Sequence, residues 1–226
     1  MAYDFDLIAR RYDRMNHLMT CYTDVLWRRR AVKSLLKKRN RGHFLDVATG
    51  TGDMAKAILH SAESGSSLVG VDLSQQMLTL AKKKLEGLNC ELIQADAECL
   101  PFEEGSFDGV TVSFGVRNFV HLQQGLSEMC RVLKPDGRLV LLELSYPDNS
   151  FLLSFYKLYA CKIIPWVGGL VTGDRKAYEY LPASILKFPK QDGMIPLLKK
   201  AGFSQVKHFS MTFGVCRMYV CEKVSY

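Results

Sequence analysis

Three carboxylates close three successive apolar runs, and they are the residues best placed to do chemistry. Asp46 follows His43-Phe44-Leu45 and leads through Val47-Ala48-Thr49 into Gly50-Thr51-Gly52-Asp53. Asp72 ends Ser67-Leu68-Val69-Gly70-Val71, and Asp96-Ala97 follow Cys90-Glu91-Leu92-Ile93-Gln94-Ala95. Gly50 and Gly52 permit positive φ and close approach of a ligand. A helix beginning just after them aims backbone N–H groups at whatever binds. Asp72 stands 20 residues beyond Gly52, where α/β nucleotide folds place the acid that binds ribose hydroxyls. A dinucleotide fingerprint needs G-x-G-x-x-G, but Ala48 takes its first glycine position and Asp53 its last. A plain glycine-rich turn accounts for one of these features, not for three acids in order.

The elements that must hold these acids are legible by periodicity. Met54, Ala55, Ile58, Leu59 and Ala62 recur at helical spacing after the glycines. Ser74 is a helix N-cap, with Met77, Leu78, Ala81 and Leu85 on one face. Phe107 to Phe114 reads as a fourth strand, and Leu122, Leu126, Met129 and Leu133 as a helix stripe. Lys134-Pro135-Asp136-Gly137 reads as a turn, with a fifth strand over residues 138–145. A helix over 191–202 closes at Ala201-Gly202, and two strands follow at 203–210 and 214–222. The expectation is one α/β domain over residues 1–226, a seven-stranded sheet with helices on both faces. Residues 1–41 form an N-terminal helical cap and residues 146–190 an insertion before the last helix.

Composition narrows the setting. With 226 residues and 48% hydrophobic content, one sizeable core is expected. The net charge of +7 gathers at Arg28-Arg29-Arg30, Lys33, Lys37-Lys38-Arg39, Arg41 and Lys82-Lys83-Lys84. Such a balance favours an anionic partner, nucleic acid or membrane surface; the plainer reading is a solvated helix face. Seven scattered cysteines, odd in number and without a C-x-x-C pair, point to a reducing cytoplasm and away from a zinc site. The acidic start Met1-Ala2-Tyr3-Asp4-Phe5-Asp6 is unlike a secretory signal. Residues 149–171 are rich in aromatic and aliphatic side chains. Lys157, Lys162 and Pro165 interrupt them, which favours an amphipathic lid or interfacial helix over a span.

The order acid-x-A-x-G-x-G at Asp46–Gly52 resembles the first motif of class I methyltransferases, which bind S-adenosylmethionine (SAM). Four further segments resemble, in order, the ubiquinone/menaquinone biosynthesis C-methyltransferase family. They are Tyr12-Asp13-Arg14-Met15-Asn16 with Met19 and Trp27; Ser113-Phe114-Gly115-Val116-Arg117-Asn118; Arg131 to Gly137 with Glu143-Leu144-Ser145; and Tyr178, Tyr180-Leu181, Ser184-Ile185 and Phe188-Pro189. The resemblance spans about residues 3–222. The chain departs from the family at Thr20, usually Ser, and at Asp24, usually His. Asp136 replaces a glycine in the Lys-Pro-Gly-Gly turn, and Thr49 stands where Gly or Cys is common.

The resemblance implies a class I methyltransferase fold that binds SAM across Asp46, Gly50, Thr51, Gly52, Asp72, Asp96 and Ala97, with Ser113 near the methionine end. It implies methylation of a ring carbon of a polyprenylated quinol without a metal, demethylmenaquinol to menaquinol being the leading case. Arg117 is the first candidate at the acceptor, with Asn118 and Tyr12 beside it; Tyr178, Tyr180 and His17 are further candidates. The expected setting is the cytoplasm, with peripheral contact at the inner face of the membrane, no nucleic acid partner, and a homodimer left open. Two other readings stay in view. One is a methyltransferase acting on another small molecule or on RNA, although no Asn/Asp-Pro-Pro-aromatic run follows the fourth strand. The other is a noncatalytic assembly subunit that keeps the fold.

Overall fold

The computed structural model describes residue 13, residues 16–164 and residues 175–223. The helix α1 (Thr23–Leu35) leads into β1 (His43–Val47), α2 (Asp53–Ser61), β2 (Ser67–Asp72), α3 (Gln75–Lys84) and β3 (Cys90–Gln94). Then come β4 (Phe107–Ser113), a 3-10 turn (Val116–Asn118), α4 (Leu122–Val132) and β5 (Leu133–Leu144). The insertion holds α5 (Ser150–Leu158), a π-turn (Tyr159–Ile163) and α6 (Arg175–Lys187), and α7 (Gln191–Lys200), β6 (Phe203–Met211) and β7 (Cys216–Lys223) end the fold.

The seven strands lie in the order β3-β2-β1-β4-β5-β7-β6. The β1, β2, β3, β4 and β5 neighbours pair parallel, and β7 runs antiparallel to both β5 and β6. Parallel strands buried on both faces must be apolar throughout, and their period-two alternation divides each strand between two cores. Leu45, Val47, Leu139 and Leu141 face a core that includes Leu126 and Met129 of α4 and Met194 and Leu198 of α7. Phe44, Val140 and Leu142 face the other, with Trp27 and Val32 of α1, Ile58 of α2 and Leu85 just beyond α3. Leu45, Ile58 and Leu126 are fully buried; each such side chain contributes about 1.5–3 kcal/mol relative to exposure.

The expected capping signals hold. Ser74 Oγ accepts from Met77 N at 3.1 Å, and Gly202 adopts φ +107 just beyond α7. One boundary differs. Leu133 opens β5 rather than ending a helix, and residues 134–137 form a bulge inside the strand instead of a turn before it. Phe107 pairs with Leu133 but Gly109 with Arg138, so β5 takes up extra residues across a two-residue step of its neighbour. Asp136 sits there at φ +59. That left-handed backbone, tolerated by Asp better than by most residues, explains why glycine is the family's usual residue at this position.

At the end of β1 the chain turns toward β2, and at the end of β4 it turns toward β5. The two turns touch. Ala48 takes φ +52 and Phe114 φ +59, and a Cβ built on Gly115 would lie 2.5 Å from the Ala48 Cβ. The methyl that Ala48 adds to the first glycine position is thus accommodated by a glycine on the neighbouring strand end.

Candidate active site

The strand-end acids are brought together by the adjacency of β1, β2 and β3. Asp72 is held by backbone: Gly50 N donates to its Oδ2 at 2.8 Å and Ser74 N to its Oδ1 at 2.9 Å. Ala95 N donates to Asp72 O at 3.1 Å, which sets Asp96 and Ala97 beside it. Asp96 is exposed, its Oδ1 accepting from Glu98 N at 2.9 Å, while Ala97 is buried. Gly50 adopts φ +56, and nothing lies within 4 Å of the space its Cβ would fill.

Asp46 lies below this surface rather than on it. It is 1% exposed, and its oxygens accept from Thr111 Oγ1 at 2.6 Å and Thr49 Oγ1 at 2.7 Å. Burial pushes its pKa up to about 6; the two hydroxyls and the charge of Arg28 pull the other way, and Asp72 adds to the rise. Its direct partners are thus the threonines that shape the loop, one of them the Thr49 that departs from the family pattern.

Thr51 and Ser113 have contrasting surroundings. Thr51 Oγ1 donates to Asp13 Oδ1 at 2.6 Å and accepts from Lys84 Nζ at 2.9 Å. Ser113 Oγ, at the end of β4, is buried with no hydrogen-bond partner among the described residues. A hydroxyl without a partner and an open space over Gly50, flanking one glycine loop, fit a ligand that brings its own polar groups.

Arg117, the first residue expected at the acceptor, is held in an ion pair. Its Nη1 donates to Glu143 Oε1 at 2.7 Å and to Phe114 O, and its backbone N donates to Glu143 Oε2 at 3.1 Å. Both side chains are deeply buried, so Arg117 is the partner of a buried carboxylate. Asn118 N closes the 3-10 turn onto Gly115 O at 3.0 Å, and the Asn118 side chain is half-buried. Tyr12 lies outside the described residues, as do Trp166 and the side chains of Tyr178 and Tyr180. The insertion supplies Tyr156 close to Arg117. Burial pushes its phenol up to about 12, opposed by the Arg117 charge, so it stays a protonated donor. Tyr159 Oη donates to Met19 O at 2.7 Å, joining the insertion to the N-terminal cap.

In the cap, Asp24 is buried and is bonded by Thr20 Oγ1 at 2.8 Å, by His17 Nδ1 at 2.8 Å and by Arg28. Burial raises this carboxyl, but the Thr20 and Arg28 contacts and the nearby charges outweigh it and hold it below the ordinary range. Arg28 also lies over the Phe114 ring, 5.2 Å from its centroid. His17, Arg28 and Asp53 line a cavity of about 220 Å³ with Val25, Arg29 and Ala57. Sequence reasoning missed Glu143, Tyr156 and Lys84 as site residues. Glu143 was visible as a lone acid in an apolar strand; Lys84 was hidden in a basic run. Among the described residues, no group of three His, Cys, Asp or Glu side chains is arranged to hold a metal.

The seven-stranded sheet with its reversed seventh strand is the class I methyltransferase fold. Solved structures share this fold. A SAM-dependent methyltransferase from Thermotoga maritima superposes with TM-score 0.67 at 20% identity over 97% of each chain. The 4+2 cyclase SpnF does so with TM-score 0.69 at 15% identity, over 98% of this chain and 94% of that one. The fold therefore leaves the reaction open; sequence narrows it. The ubiE/COQ5 methyltransferase family matches residues 2–223, and the chain belongs to that family. It is 43% identical to the ubiquinone/menaquinone biosynthesis C-methyltransferase UbiE of Geotalea uraniireducens, over 97% of this chain and 94% of that protein. It is 42% identical to the demethylmenaquinone methyltransferase of Thermus thermophilus, over 97% of this chain and 99% of that protein.

The buried acid under the loop yields a pH prediction. The Asp46 carboxyl titrates near 3.8 in the unfolded chain and about 6 in the folded one. The folded state thus holds the proton more tightly, and its stability falls as pH rises through that window. Asp46→Asn should stabilise the ligand-free chain above about pH 7 by on the order of 1–3 kcal/mol. The gain should fade toward about pH 4. Urea unfolding of both proteins at the two pH values reads this directly.

Proposed function

We propose that the chain methylates a ring carbon of a polyprenylated quinol, with demethylmenaquinol converted to menaquinol as the principal reaction. The observation that carries this reading is identity above 40% along almost the whole chain to relatives named for that step. SAM, when bound, supplies an electrophilic methyl on a sulfonium. In this reading Asp72 holds the ribose hydroxyls, Asp96 and Ala97 border the adenine, and Gly50, Thr51 and Gly52 bring backbone close. Asp46 supports that loop from beneath, and Ser113 meets the methionine end.

The remaining residues work on the acceptor. A quinol carbon becomes nucleophilic as a ring hydroxyl loses its proton, and positioning it in line with the methyl can supply much of the rate. Arg117 is permanently charged, so it stabilises the forming quinolate oxygen and orients water instead of taking the proton. Tyr156, protonated at neutral pH, donates to the same region. Asn118, beside Arg117, holds a ring oxygen. Quinone profiling by mass spectrometry after deletion of the gene tests the reaction. Accumulation of a quinone one methyl lighter is expected, and an unchanged profile would overturn it.

Arg117 needs a test that spares its ion pair, because truncating one partner of a buried pair costs about 3–5 kcal/mol by itself. Arg117→Lys leaves a cation for Glu143 but removes the planar fork. Turnover should fall at least about tenfold, roughly 1.4 kcal/mol of lost transition-state stabilisation, with unfolding midpoint and SAM affinity nearly unchanged. Normal turnover would reduce Arg117 to a partner of Glu143.

For the polyprenyl tail, we propose peripheral docking of the insertion at the inner face of the cytoplasmic membrane, with no nucleic acid partner. Phe151, Leu152, Phe155, Leu158 and Ile163 are exposed, Phe151 and Phe155 meet edge to face at 4.9 Å, and Lys157 and Lys162 are exposed among them. Among the described residues no helix is long and apolar enough to cross a membrane. Apolar side chains rimmed by lysines suit an anionic interface. Sedimentation with vesicles should show binding that increases with anionic lipid, weakens with salt and drops on Phe155→Asp.

A further inference from the structure

Two residues past Asp96, Glu98 is buried on a loop that leaves Asp96 and Cys99 exposed. Its carboxylate reaches across to the segment between the 3-10 turn and α4. Oε1 accepts from His121 N at 2.8 Å, Oε2 meets His121 Nδ1 at 2.8 Å, and the Val120 N–H bonds the carboxylate as well. Burial raises this carboxyl, but those bonds outweigh it and hold it below the ordinary range. The first turn of α4 has no acid, and its N-cap His121 supplies no side-chain cap. Glu98 brings to that helix N-terminus, from a neighbouring loop, the negative charge it favours. Its backbone joins the same two segments: Glu98 O accepts from Gln124 Nε2 at 2.7 Å, and Glu98 N donates to Asp96 Oδ1 at 2.9 Å. Gly125 of α4 makes room for the join, since a Cβ there would lie 2.5 Å from the Phe119 ring and 3.7 Å from Ala97 O.

We infer that Glu98 is a positioning residue, which sets the Asp96 carboxylate for the amine of an adenine ring and so makes the cofactor site selective for that base. This rests on the reading that SAM places its adenine at Asp96 and Ala97. The case turns on what the loop keeps without the Glu98 side chain. Ala95 N stays bonded to Asp72 O, and Leu100 N to Glu128 Oε2 at 2.8 Å, so the loop remains anchored on both sides. Between those anchors the Asp96 carboxylate is oriented by Glu98 N, and residue 98 is in turn placed by residues 120–124. With Oδ1 held in this way, Oδ2 is the oxygen left to accept from the amine. Arg117 is held separately, by Glu143 and Phe114 O. Loss of the Glu98 side chain therefore falls on recognition of the base and not on the acceptor.

Calorimetry on the full chain with S-adenosylhomocysteine and S-inosylhomocysteine tests this. The second ligand has a carbonyl acceptor in place of the amine donor. The unsubstituted chain should prefer the adenosyl ligand by at least about tenfold, as expected for a hydrogen bond to a charged group. Glu98→Ala should cut that preference to about threefold or less by weakening the adenosyl ligand alone. A residue with only a structural role would weaken both ligands alike. Asp96→Ala should remove the preference, and the double variant should remove no more, because the two residues act as a unit. Glu128→Ala, which frees the loop at Leu100 instead, should lower the unfolding midpoint and keep the preference. If Glu98→Ala does not fold, Glu98→Gln, which keeps one oxygen for His121 N, should lose part of the preference. An unchanged preference in the variant that folds, equal weakening of both ligands, or loss of the preference in Glu128→Ala would overturn the inference. Failure of the unsubstituted chain to bind S-adenosylhomocysteine, or to prefer it, would overturn the site reading on which the inference rests.

Discussion

The contact between the ends of β1 and β4 is the constraint on which the rest of the structure depends. These two strands are neighbours in the sheet, but their connections leave in opposite directions, toward β2 and toward β5. In open α/β sheets that divergence leaves a crevice outside the carboxyl ends of the strands. Here the crevice has a steric requirement. Ala48 and Gly115 meet so closely that only one of them can carry a side chain, and the residues beside them, Ala48 itself and Phe114, take left-handed backbone. Strain of that kind persists only where surrounding packing overdetermines it. The buried faces of β1, β4 and β5 supply that packing.

The two halves of the crevice are electrostatically unlike. On the β1 side the buried acid is Asp46, bonded by neutral hydroxyls, with a pKa lifted to about 6 by burial. On the β4 side the buried acid is Glu143, bonded by Arg117 and by the backbone N–H groups of Arg117 and Leu144. One half thus has at its base an acid bonded directly only by neutral hydroxyls, and the other an acid in a direct ion pair. Under the proposed reading the cationic methyl donor lies on the side of the acid that no guanidinium bonds directly, and the forming quinolate beside Arg117.

How much of this was legible in sequence depends on the distance between partners along the chain. The strand, acid and glycine turn at 43–53 is a contiguous signal, and the helix start at Ser74 and the helix end at Gly202 are equally local; all were readable from residue type and spacing. The bulge at Asp136 was read as a turn because a proline and a glycine give the same signal in both settings. Glu143 lies 26 residues from Arg117, and Lys84 lies 71 from Asp13, so neither pair is encoded in any local pattern. The departure at Asp24 is explained by structure: the buried carboxylate is fully engaged by His17, Thr20 and Arg28. The departures at Thr20 and Asp24 form one hydrogen-bonded unit, so each is intelligible only with the other in place.

The same sheet carries a cyclase in one neighbour and a methyltransferase in another, so what makes one reaction of it must lie outside the sheet. In this chain the glycine loop and strand-end acids belong to the sheet and to the turns that leave it. Under the proposed reading, what meets the acceptor comes from elsewhere: the 3-10 turn that carries Arg117 and the insertion that carries Tyr156, joined to the cap through Tyr159 and Met19. Cap and insertion are tied to each other by that bond, while the cap is tied to the loop through Lys84 and Asp13. Under the proposed reading, the reaction is set by the turn, the insertion and the cap, joined to one another by side-chain bonds, over a sheet that the whole fold shares.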